Sequence, residues 1–148
     1  MEIVSTKPLV IVDFAHTPDG MDEVLKSFPN KEIICVFGAG GNRDALKRPL
    51  MGEVAKKYSK HIVVTSDNPR FEEPKKIIED ILNGIDDKSN VIVIEDRKEA
   101  LKKAISLAND KSVVLILGKG DERAQIVGDK KFEFSDKDEV LKILEVRD

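Results

Sequence analysis

The sequence predicts an α/β domain built on a doubly wound, mostly parallel sheet, and three observations carry that prediction. Short apolar runs recur at residues 9–12, 33–37, 62–64, 91–94 and 113–117, and near-continuous apolar strands belong to sheets buried on both faces. Each of the first four runs leads into a segment whose apolar residues repeat at helical spacing, and strands alternating with helices give parallel pairing with helices on both faces. Near the C-terminus the pattern changes: residues 124–127 and 131–134 flank Gly128 and Asp129, the signature of a small antiparallel hairpin. The expected architecture is a Rossmann-like sheet with a C-terminal antiparallel hairpin strand.

Taken in order, the first strand ends at Asp13, and Thr17 and Pro18 read as N-cap and first position of a helix with Met21, Val24, Leu25 and Phe28 inward. After the second strand comes a glycine-rich loop, then a helix starting near Pro49 that buries Leu50, Met51, Val54, Ala55 and Tyr58. The third strand runs into Thr65–Arg70, and Pro74 opens a helix with Ile77, Ile78, Ile81 and Leu82 inside, closed by Gly84. The fourth precedes a helix with Ala100, Leu101, Ala104, Ile105 and Ala108 inside, and the fifth empties into GKGDE. A last helix, capped by Ser135 or Asp136, turns Val140, Leu141, Ile143 and Leu144 inward. No linker interrupts residues 1–148, so one domain is expected.

Composition narrows the function. The 148 residues are 41% hydrophobic, enough to fill one core without metals or disulfides. With 25 basic and 28 acidic residues the formal charge is -3, which points away from nucleic acid. The single cysteine, Cys35, sits in an apolar run and reads as an inert core residue. No apolar run approaches the roughly 20 residues of a membrane span, and MEIVSTKPLV lacks the features of a signal peptide. A cytoplasmic, monomeric protein with no membrane partner is expected, and a chain that begins almost directly in a strand fits a domain cut from a longer protein.

In open α/β sheets, ligands bind beyond the carboxyl ends of the strands. The polar residues follow that rule: Asp13 and His16 after the first run, residues 38–48 after the second, Asp67 to Arg70 after the third, Asp96 and Arg97 after the fourth, and Gly118 to Glu122 after the fifth. Each has a bland alternative, such as capping, a packed imidazole, an Asn-Pro turn or a solvated charge. On the functional reading, Asp13 meets ribose hydroxyls and His16 approaches phosphate. Three glycines in GAGG beside Arg43, Lys47 and Arg48 suit a carboxylate or phosphate. The Walker pattern is absent, because Asn42 and Arg43 follow Gly41. Gly118 and Gly120 permit close approach of a ligand, and Glu122 offers a carboxylate to an ammonium group. No His, Cys or carboxylate set has metal-ligand spacing, and no Ser, His, Asp set is evident.

The stretches DFAHTPDGMDEVL, FGAGGNRDALKRPLMG, TSDNPRFEEP, the DR of EDRKEA, and GKGDE, in this order and across nearly the whole chain, resemble the C-terminal domain of the Mur ligases. The resemblance is to the members that add the third amino acid to UDP-N-acetylmuramoyl-dipeptide (L-Ala-D-Glu) in peptidoglycan synthesis. It implies an ATP-dependent, ADP-forming amide ligase, in which a carboxylate becomes an acyl phosphate that the incoming amine attacks. It places Asp13 at the nucleotide and His16 in a catalytic position near the terminal phosphate. Arg43, Asp67, Asn68, Pro69, Arg70, Gly118 and Glu122 would bind the amino acid, meso-diaminopimelate. ATP and Mg2+ are implied for the full-length enzyme, held mostly by a central ATPase domain, with an N-terminal domain for the UDP moiety; neither is found in this chain, which alone would be inactive. Two positions depart from the family pattern: Asp121 replaces a usual histidine and Phe14 a common tyrosine. Lysine or lanthionine therefore stays open as the amino acid. The rivals are a folylpolyglutamate or cyanophycin synthetase-like ligase, which shares the Asp13, Ala15, His16 pattern, and a non-catalytic nucleotide-binding module.

Overall fold

The chain opens with a strand that the apolar pattern does not reveal. In the computed structural model, which describes residues 1–147, β1 (Glu2–Thr6) pairs antiparallel with β2 (Leu9–Asp13). Its side chains are exposed or half-buried, so it carries no continuous apolar run. The five predicted strands are β2, β3 (Glu32–Phe37), β4 (His61–Val64), β5 (Val91–Val93) and β6 (Ser112–Leu117). With β1 they form one sheet in the order β1-β2-β6-β3-β4-β5, parallel apart from the first pair.

Both faces are covered, which is why the inner strands are apolar at successive positions. On one face Ile33, Cys35 and Phe37 of β3 join Met21 and Leu25 of α1 (Pro18–Leu25), Met51 and Ala55 of α2 (Arg48–Tyr58), and Ile77, Ile78 and Ile81 of α3 (Pro74–Leu82). On the other, Ile34 and Val36 meet Leu101 and Ile105 of α4 (Arg97–Ser106) and Val140 of α5 (Asp136–Arg147). The expected caps form: the Thr17 hydroxyl accepts from Gly20 N at 3.0 Å, and Ser135 rather than Asp136 accepts from Asp138 N. Cys35 is fully enclosed, and burial pushes its thiol up to about 12.

The hairpin forms as β7 (Ala124–Val127) and β8 (Lys130–Glu133), a separate two-stranded ribbon. No helix among the described residues is long and apolar enough to cross a membrane.

Candidate functional site

Because β6 is inserted between β2 and β3, the carboxyl ends of β2, β6, β3 and β4 lie side by side. The loops leaving those four ends enclose a cleft of about 350 Å3. His16 lines it from β2, Gly38, Gly40, Arg43 and Lys47 from β3, Asp67, Asn68 and Arg70 from β4, and Gly118 and Glu122 from β6. Two predicted residues stand outside the lining. Asp13 ends β2, where its Oδ2 accepts from Ala15 N at 2.8 Å and its Oδ1 lies 2.9 Å from the Met1 amino group. Pro69 is buried behind the turn. His16 is exposed, its Nδ1 3.0 Å from the Phe14 carbonyl and its ring 4.6 Å from the Phe14 ring.

The loop after the fourth apolar run does not join the cleft. β5 is the edge strand, and α4 packs against the opposite face of the sheet, so Asp96 caps α4 by accepting from Lys98 N. Arg97 turns beneath the site, buried, with Nε and Nη2 each 2.8 Å from a carboxylate oxygen of Asp136. Its remaining donors reach the carbonyls of Ser66 (3.0 Å) and Leu117 (3.3 Å), the residues just before Asp67 and Gly118. Burial lowers the Arg97 pKa, but the Asp136 carboxylate overrides it and the net direction is upward.

The glycine loop also differs from expectation. Gly38 and Gly40 line the cleft, whereas Gly41 seals one loop against another: its N–H donates to the Asn68 carbonyl at 2.7 Å, and a Cβ there would overlap the Pro69 carbonyl. Arg70 Nη1 donates to the Gly41 carbonyl at 3.0 Å, and Asn42 adds two bonds, its N–H to Glu72 and its Oδ1 from Phe71 N. Arg48, grouped with Arg43 and Lys47 by the sequence, lines the cleft but commits its guanidinium to anchoring contacts. Only 3% exposed, it binds Asp80 Oδ2 through Nη1 (3.0 Å) and the Gly40 carbonyl and Glu72 Oε2 through Nη2 (3.0 and 2.8 Å). The Asn42 N–H and then Arg48 hold the Glu72 carboxyl below its usual range, and Lys76 and then Arg48 do the same for Asp80. Arg43 and Lys47, both exposed, have no carboxylate within 4 Å among the described residues.

Across the cleft, Asp67 and Glu122 face a cation from the turn after β6, Lys119. Lys119 is fully buried, with Nζ 2.8 Å from Asn68 Oδ1, 3.3 Å from Glu122 Oε1 and 3.4 Å from Asp67 Oδ1. The only sequence signal was its place between two glycines, and both take positive φ, 115° and 55°, turning Lys119 inward. Asn68 Oδ1 also accepts from Ile126 N at 2.9 Å. Both partners are obligate donors, so the amide is oriented with its NH2 toward Glu122, 3.5 Å away. The hairpin completes this wall: Gln125 Nε2 donates to the Asp67 carbonyl at 2.8 Å, Arg70 N to the Ile126 carbonyl, and Gly128 N to the Arg70 carbonyl. Arg70 adopts φ 52°, strained for a side-chain-bearing residue and held by these contacts.

Known proteins share this sequence and fold. A family model described as Mur ligase, glutamate ligase domain, matches residues 1–120. The chain is 55% identical over 140 residues to the UDP-N-acetylmuramoyl-L-alanyl-D-glutamate--2,6-diaminopimelate ligase of Helicobacter pylori, covering 95% of this chain and 31% of that protein. It is 54% identical over 143 residues to the ligase of the same name from Aquifex aeolicus, covering 95% and 30%. A solved structure of a ligase of that name superposes with a TM-score of 0.88 at 39% identity, over 94% of this chain and 29% of that one. Mycobacterium tuberculosis folylpolyglutamate synthase, complexed with ADP, shares the fold at a TM-score of 0.63 and 20% identity, over 79% and 28%. The chain thus spans about a third of the length of the curated relatives it matches. With the family model covering most of the chain and relatives above half identity along nearly all of it, this chain belongs to the Mur ligase family.

Proposed function

We propose that this chain is the amino-acid-binding domain of a cytoplasmic, monomeric, ADP-forming ligase that joins meso-diaminopimelate to UDP-N-acetylmuramoyl-L-alanyl-D-glutamate. The observation that carries the reading is the polarity of the cleft. Arg43, Lys47 and Arg70 supply positive charge from the β3 and β4 loops, while Asp67 and Glu122 supply the acidic side. An amino acid whose distal end bears both a carboxylate and an ammonium matches that division, the carboxylate on arginine and the ammonium on Glu122. The relatives named above are diaminopimelate ligases by name, which supports the choice.

The residues fit the margin of a nucleotide rather than a whole ATP site. Asp13, at the end of β2 beside the cleft, is assigned to ribose hydroxyls, and His16 is exposed toward the cleft, but no loop of the chain has the Walker pattern. When bound, ATP supplies the activation of the dipeptide's terminal carboxylate. This domain holds the amino acid so that its amine meets that carboxylate, a positional contribution that lowers the barrier by removing freedom of approach. Mg2+ and the phosphates are assigned to the central domain of the full-length protein; among the described residues, no group of three or more His, Cys, Asp or Glu stands where it could hold a metal.

An amino-acid panel with the full-length ligase carrying this chain tests the reading. Diaminopimelate should be the preferred substrate, and Arg70→Ala should lower its kcat/KM by about 2–4 kcal/mol, roughly 30- to 1000-fold. Efficient use of lysine, glutamate or arginine instead of diaminopimelate, or unchanged kinetics in the variant, would overturn it.

A further inference from the structure

The ammonium of Lys119 is fully buried, so its three protons call for protein acceptors. Asp67, Asn68 and Glu122 each offer one oxygen, within 3.4 Å. These three acceptors all line the cleft, on two different loops, whereas Lys119 itself does not. Of the other buried cations nearby, Arg48 is paired with Glu72 and Asp80, and Arg97 is paired with Asp136 and reaches the site through backbone carbonyls. Lys119 is therefore the cation that directly ties the Asp67–Asn68 turn to Glu122.

We propose that Lys119 is a positioning residue for the amino acid, fixing the Asn68 amide with its NH2 toward Glu122 and tethering Glu122 and Asp67 to one cation so that the pair accepts a single ammonium. The proposal rests on the amino-acid site described above. Charge sets its logic. Asp67 and Glu122 against Lys119 leave one net negative charge, the complement of one ammonium, and without Lys119 the two carboxylates would lose the cation they share. Orientation sets its specificity. With Lys119 and the Ile126 N–H both donating to Oδ1, Asn68 presents only a donor, which accepts no ammonium and favours the ligand's carboxylate. The flanking glycines serve the same end: a Cβ on Gly118 would press on Asp67 Oδ2 and one on Gly120 on Phe14, so a bulkier turn could not deliver the lysine inward.

The test uses the full-length ligase and steady-state kinetics in all three substrates. Lys119→Met should raise the KM for diaminopimelate by about 10- to 100-fold, leave the KM for ATP and for the nucleotide dipeptide within about twofold, and erode the preference for diaminopimelate over lysine. Lys119→Gln, which keeps N–H donors without the charge, should fall between wild type and Lys119→Met, and it carries the test if the methionine variant does not fold. An unchanged diaminopimelate KM, or an equal rise for all three substrates with the discrimination intact, overturns the inference. The wild-type panel keeps the two readings apart: if the wild type prefers another amino acid, the substrate assignment fails, and the role of Lys119 is then judged on the KM of the amino acid accepted.

Discussion

Arg48 on the first turn of α2 and Asp80 on α3 meet with Nη1 3.0 Å from Oδ2, and the same guanidinium closes on Glu72 and the Gly40 carbonyl. A single side chain thus ties the glycine loop to two helices. Its partners are partly exposed, 15% for Asp80 and 30% for Glu72, so loss of the cation costs less than in a dry interior. Arg48→Met should destabilise the chain by about 2–3 kcal/mol in urea unfolding, below the range for a fully buried pair.

The same cluster sets a pH dependence. Glu72 and Asp80 are held below the usual carboxylate range, so the folded state favours their ionised forms. Their contribution is fully present above the unfolded values, about 3.9–4.3, and is lost as pH falls through the lower folded values. Melting temperatures should be flat from pH 7 to about 5 and drop below about 4, and Arg48→Met should make that drop shallower. A wild-type profile that rises on acidification contradicts the assignment.

Arg97 and Asp136 form the one fully enclosed ion pair on the α4–α5 face among the described residues, both side chains at 0% exposure. Arg97→Met strands the Asp136 carboxylate and two carbonyls, and should cost about 3–5 kcal/mol. Adding Asp136→Leu should recover a substantial part of that, since a buried pair replaced as a unit leaves no uncompensated charge. A double-mutant cycle by urea unfolding measures the difference.

The helices, the five parallel strands and the hairpin were legible because burial on two faces, helical spacing and a two-residue turn each leave a periodic trace. β1 was not, since a half-exposed edge strand needs no apolar run. The clustering of polar residues after β2, β3, β4 and β6 was legible from parallel topology alone. What sequence order does not encode is the direction in which a charged side chain points. Arg48 and Arg97 are buried anchors and Lys119 a buried hub, yet each has the composition of a solvated loop residue. Gly41, read as room for a ligand, is room for Pro69 instead, because the contact it permits lies 28 residues away in the chain, across the neighbouring strand end.

The ribbon of β7 and β8 touches the site through Gln125, Ile126 and Gly128, yet hydrogen-bonds to no strand of the main sheet. A two-stranded ribbon with a wholly exposed outer strand opens at far lower cost than the buried β6. Substitutions in it should therefore reshape the Asp67–Arg70 turn while leaving the two cores intact, so the geometry of that turn and the stability of the fold are set by separate parts of the chain.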